Sequence, residues 1–169
     1  MRLSVLPAFN DPCVVEYESG RRPGPAGTRE ARTGVYFSEL SWRTWRGEAD
    51  CQRFEAMLQQ PRMLRKTFDP TIEVQTVPVD RDDVLKLLRR LSAISICALH
   101  VDLDWMGADG CSYELEASGG MCHTHLRWWC DSPAAWRPVM KWFDSTMDWL
   151  ADRLDVPQGE RPPKSVAPR

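Results

Sequence analysis

The chain lacks most of the features that announce a chemistry. None of its 169 residues form an uninterrupted apolar run of the roughly 20 residues that a bilayer-crossing helix needs. No serine sits in a G-x-S-x-G elbow, and no glycine-rich loop has the spacing that cradles phosphate. The six cysteines, at positions 13, 51, 97, 111, 122 and 130, include no C-x-x-C pair to grip zinc. A surplus of one charge is also missing. With 22 basic against 24 acidic residues the net charge is −2, which favours neither nucleic acid nor an anionic membrane as partner. The opening residues, from Met1 to Pro12, contain one arginine and a short apolar piece. They lack the long apolar core and small-residue cleavage site of a secretory signal. A chain of this size does not depend on disulfides, so the cysteines are expected as small core residues in a reduced, cytoplasmic setting.

What is present describes an ordinary folded domain. The apolar set makes up 43% and the charged set 27%, proportions of a globular protein with its own core. Eight tryptophans add large aromatic surfaces that normally fill a core and less often anchor a partner.

Along the chain, Cys13–Glu18 and the stretch around Val35, Tyr36 and Phe37 are β-branched or aromatic and predict strands. The Gly-, Pro- and Arg-rich segment 19–28 between them predicts a flexible loop. Cys51, Phe54, Met57 and Leu58 recur at helical spacing, as do Val84, Leu87, Leu88, Leu91 and Ile94 behind Asp80, a good N-cap. Residues 71–77 alternate as a half-buried strand. A final helix carries Val139, Phe143, Met147, Leu150 and Leu154, widened by Trp142 and Trp149. Strands interspersed with helices, without strict βαβ alternation, predict an α+β fold with a mostly antiparallel sheet and helices on one face. The expected organisation is one domain over 1–155 and a disordered or loosely packed tail at 156–169.

The segment 98–129 concentrates the unusual residues. It predicts a three-stranded meander, with turns at 108–110 and at Gly119–Gly120. Alternation then puts Leu99, Val101, Leu103, Trp105, Cys111, Tyr113, Leu115, Cys122, Leu126 and Trp128 on a buried face. The opposite face receives Asp102, Asp104, Glu114, Glu116, His123 and His125, with Arg127 and Trp129 beside them. In this register Glu114 faces His125 and Glu116 faces His123. Five acidic residues and no lysine or arginine occur between 98 and 118.

The His123-x-His125 pair places two imidazoles on one side of a strand, where a carboxylate such as Glu114 or Glu116 could complete a metal site. A solvated face on which histidines offset acids explains the same pattern, so no metal or cofactor is expected. Two neighbouring carboxylates such as Asp104 and Glu114 could split their pKa values as acid and base, and a hydrolase centred on His123 and His125 is the alternative. The leading expectation is a non-catalytic binding module, of the small α+β kind typified by immunity or regulatory proteins. Asp102, Asp104, Glu114, Glu116, His123, His125, Arg127 and Trp129 would meet a protein partner with a basic surface.

The strings D-G-x-x-Y-E-L (Asp109–Leu115), Trp128-Trp129 and P-x-x-W-x-P (Pro133–Pro138) resemble a pattern in small uncharacterised bacterial proteins. The resemblance is limited to residues 109–143. It implies a bacterial cytoplasmic protein with the same strand–strand–helix unit and carries over no catalytic residue.

Overall fold

A computed structural model of the chain describes residues 1–7, 11–59, 69–96, 110–119, 121–130 and 134–165. Six strands form one antiparallel sheet: β1 (Arg2–Pro7), β2 (Cys13–Arg22), β3 (Val35–Trp45), β4 (Ile72–Pro78), β5 (Cys111–Gly119) and β6 (Cys122–Trp129). Their order across the sheet is β4-β3-β2-β1-β5-β6. The helices are α1 (Arg29–Thr33), α2 (Gly47–Leu58), α3 (Arg81–Ser92) and α4 (Arg137–Arg153). The α+β class and the antiparallel sheet expected from the sequence are both present.

Period-two alternation builds the covered side of the sheet. Leu3 and Val5 of β1, Cys13 and Val15 of β2, Leu40 and Trp42 of β3, Tyr113 and Leu115 of β5, and Trp128 of β6 are all buried. Helices α3 and α4 seal this side with Val84, Leu87, Val139, Phe143, Met147 and Leu150. The Asp80 side chain accepts from the Asp82 amide and caps α3 as the sequence predicts. The Trp142 indole donates to the Leu87 carbonyl at 3.0 Å and ties α4 to α3. Tyr113 and Trp128, directly paired across β5 and β6, stack at 5.7 Å. Phe143 of α4 meets both edge-on, at 5.8 and 5.1 Å, a favoured arrangement for aromatic quadrupoles.

Four expectations require correction. First, β5 has β1 on its inner side, with Leu3 opposite Leu115 and Val5 opposite Tyr113. The sequence pattern alone puts residues 98–105 on that edge; these, Asp102 and Asp104 included, lie outside the described residues. The RLSVLP alternation of β1 supplies a better-matched neighbour from the far end of the chain. Second, β2 runs on to Arg22, so Ser19–Arg22 pair with Val35–Ser38 rather than forming a loop. The Arg22 guanidinium lies 3.9 Å from the Phe37 ring centre and pairs with Glu39, which holds the strand end in register.

Third, α2 forms as expected but does not bury its apolar stripe. Cys51 is exposed, and Phe54 and Leu58 are about half exposed. The helix is fastened instead by Asp50, which is buried. Its carboxylate accepts from the Trp45 indole at 2.7 Å and from the Thr71 amide and hydroxyl at 2.7 and 2.6 Å. Burial pushes the Asp50 carboxyl up, but these hydrogen bonds and Arg53 outweigh it and leave it below its ordinary value. Fourth, the expected loose tail is docked through Ser165. Val156 and Ser165 are buried, the Tyr113 hydroxyl donates to the Lys164 carbonyl at 2.9 Å, and the Ser165 amide donates to Asp144 at 3.0 Å. Lys164 pairs with Asp148 and Arg161 with Asp152.

Candidate functional site

Helices α3 and α4 pack against the side of the sheet that carries the buried apolar residues, and the other side holds the polar residues singled out in the sequence. On β5 these are Glu114 and Glu116, with Ser112 and Ser118 on the same face; on β6 they are His123, His125, Arg127 and Trp129. The pairing is offset by two residues from the expected one, because Gly119 belongs to β5 and faces Cys122. Glu114 therefore faces Arg127, Glu116 faces His125, and Ser118 faces His123. An offset of two preserves which face each side chain takes, so the partition survives although the partners change.

The acids on this face are paired, which the 98–118 segment taken alone does not suggest. Arg127 Nε approaches Glu114 at 3.3 Å and also donates to the Ser112 hydroxyl at 3.2 Å. Arg2 on β1 lies between two carboxylates, 3.8 Å from Glu116 and 3.7 Å from Glu16 of β2. Arg43 of β3 continues the row, 3.0 Å from Glu16. Alternating charges thus cross four adjacent strands, from Arg43 through Glu16 and Arg2 to Glu116. Ser4 and Ser112, on the same face as these long side chains, are buried. Glu114 is 23% exposed and Arg127 62%, while Glu116 is 36% exposed and its contact with Arg2 is the looser one. Glu116 is the acid best placed to accept another cation.

Both His123 and His125 are exposed on β6, with Glu116 across from His125. These three would be the ligands of any metal there, but no group of three His, Cys, Asp or Glu side chains converges among the described residues. Trp129 is only half-exposed. Its indole sits over Gly110, so close that a Cβ on that glycine would fall 2.6 Å from the indole nitrogen. Trp136 meets Trp128 edge-on at 6.5 Å and also belongs to the packed structure.

A cavity of about 440 Å³ opens on the covered side, between α3 and the β5–β6 hairpin. It is lined by Leu88, Leu91, Leu115, Leu126, Val139 and the Cys122 thiol, among others, and not by either histidine. Cys122 is exposed at its mouth rather than buried as expected. The buried cysteines behave as core residues: burial, with neighbouring Cys111, raises the Cys13 thiol to about 12, and burial raises that of Cys111. Every cysteine among the described residues is a free thiol.

Arg2, Glu16 and Arg43 were not singled out in the sequence. The signal was there, in the polar positions alternating with Leu3 and Val5 and with Cys13 and Val15, but it becomes a ladder only once the strand order is known. Among the described residues, no helix is long and apolar enough to cross a membrane. Compared with protein-family models, curated proteins and solved structures, the chain shows no significant match.

Proposed function

We propose that this chain is a non-catalytic binding module, of the immunity or regulatory kind, which meets a protein partner through the charged sheet face around β5 and β6. The observation that carries the reading is the one-sided cover. Among the described residues, two helices seal one side, while the other presents an ordered row of charged groups fixed on strands. Groups held on a rigid scaffold lose little freedom on docking, which suits recognition.

The partner that fits brings a cation to Glu116, displacing the 3.8 Å contact with Arg2, and sets it beside His125. Glu114, already held by Arg127 at 3.3 Å, orients that neighbour more than it attracts a partner. Arg127 supplies a guanidinium for an acceptor on the partner, and Trp129 a half-exposed aromatic edge.

The test begins with capture of the partner from cells that produce the protein, its identification, and titration of the purified pair. A Glu116→Lys variant should weaken binding mainly through slower association. Lys86→Glu, on the opposite side in α3, should leave it unchanged. Equal affinity for Glu116→Lys and the parent protein, with both correctly folded, would refute the assignment of this face.

A further inference from the structure

The outer edge of β4 carries an inference independent of the β5–β6 face, which lies at the other end of the sheet. The Arg46 amide donates to the Thr71 carbonyl at 2.9 Å, and the Val79 amide donates to the Ser38 carbonyl at 3.0 Å. Both bonds extend the β3–β4 register, which runs unbroken from Trp45 opposite Ile72 to Glu39 opposite Pro78. In an antiparallel pair, hydrogen-bonding positions alternate. The backbone groups of Glu73, Gln75 and Val77 therefore point toward β3. Those of Ile72, Val74 and Thr76 point away from it.

Nothing among the described residues pairs with that edge, and six of the seven β4 residues are exposed. Ile72 and Val74 are more than half exposed, and Trp45 opposite Ile72 is 43% exposed. Natural sheets guard such edges with lysines, bulges, inward charges or internal prolines. This one has no lysine or arginine, no bulge, and proline only at its last position. Its single acid, Glu73, is held by Arg46 at 2.6 Å and lies on the opposite face from Ile72 and Val74.

We propose that β4 is a self-pairing edge, and that a second copy of this chain adds its own β4 antiparallel to form one continuous sheet across two molecules. An extended backbone is the chemistry that satisfies a row of free amides and carbonyls, and the strand is its own complement. With the two-fold axis at Gln75, Val74 of one copy faces Thr76 of the other, and the outward groups of both exchange hydrogen bonds. Ile72 then faces Pro78, and Glu73 faces Val77 rather than a second Glu73. The two Gln75 residues face each other as a non-hydrogen-bonded pair, the closer type of cross-strand pair. No like charges meet.

The mass of the full chain in solution tests this directly. Light scattering should give the mass of two chains. Val74→Lys, which puts a charge on the exposed edge, should give the mass of one chain with an unchanged melting curve. Independently, Gln75→Cys should form a disulfide-linked dimer under mild oxidant, above the background from the exposed native thiols, whereas Glu73→Cys should not. A single-chain mass for the parent protein overturns the proposal, as does a two-chain mass that survives a folded Val74→Lys. If Val74→Lys does not fold, the cross-linking pair decides: linkage by Glu73→Cys equal to that by Gln75→Cys overturns it.

Discussion

Leu3 and Leu115 face each other across β1 and β5, and both have no solvent exposure. By burial alone, truncating either to alanine should cost the same. The transfer part is equal: three carbons at about 0.8 kcal/mol each give roughly 2.4 kcal/mol. The cavity part differs. Leu115 lines the 440 Å³ cavity beside α3, and Leu3 does not. Removing the Leu115 side chain widens a space that already exists, so little new void is created, and the expected loss is about 2–3 kcal/mol. Removing Leu3 leaves an enclosed hole in the middle of the sheet, and the expected loss rises to about 4–5 kcal/mol. Urea unfolding of both variants, followed by circular dichroism, measures the difference, provided the m-values match that of the parent protein. Equal losses, or a larger loss for Leu115→Ala, would refute the claim that the cavity meets the core at Leu115. A loss under about 1 kcal/mol for either residue would refute their placement in the core.

The remaining predictions concern single contacts. Gly110→Ala drives a methyl group to 2.6 Å from the Trp129 indole and should destabilise the fold by about 1–3 kcal/mol through overpacking; an unchanged melting temperature would show that the indole is free to move. Tyr113→Phe removes the donor to the Lys164 and Pro163 carbonyls. It should cost about 0.5–1.5 kcal/mol and speed protease cleavage within 156–165, whereas unaltered cleavage would show that the hydroxyl does not hold this segment. Two carboxyls should respond to pH with opposite sign. Asp50 lies below its ordinary 3.8, so its stabilisation is present above that value and lost as pH falls through its lower folded value. Asp50→Asn should therefore lower the melting temperature at neutral pH, with the gap narrowing at strongly acidic pH. Asp144 is raised above 3.8, chiefly by burial, so its protonated form favours the fold below that value and the benefit disappears as pH rises through its folded value. Asp144→Asn, which can still accept from the Ser165 amide, should melt higher than the parent at neutral pH and no higher near pH 3 (about one unit below the ordinary carboxyl). Melting curves across that range would show either sign to be wrong.

Elements with a strong local pattern were legible in the sequence. The α3 helix has its cap at Asp80 and its stripe through Val84 and Leu87, and α4 has an apolar face that is buried almost as predicted. The division of β5 and β6 into two faces was legible as well, because parity tolerates the two-residue offset caused by placing the turn at Gly119. Long-range pairing was not legible. β1 is only six residues long, and nothing within it names β5 as its partner more than a hundred residues later. The balance of charge on the open face was hidden for the same reason, since Arg2 and Arg43 reach it from other strands. The apolar spacing in α2 marked a helix correctly, but spacing does not reveal whether anything packs on it. Here Asp50 fastens the helix by its first turn, and Phe54 and Leu58 remain outside.

The place of β1 bears on how the molecule comes into being. β1 has one flank occupied by β2 early in synthesis, but its other flank waits until residues 111–119 have been made. Throughout that interval the nascent chain carries a half-built core with Leu3 and Val5 lacking their later neighbours, a state prone to association with whatever is nearby. Closure depends on a contact between strands more than a hundred residues apart, so folding should be slow for a domain of this size. A fragment ending before residue 111 should not hold together.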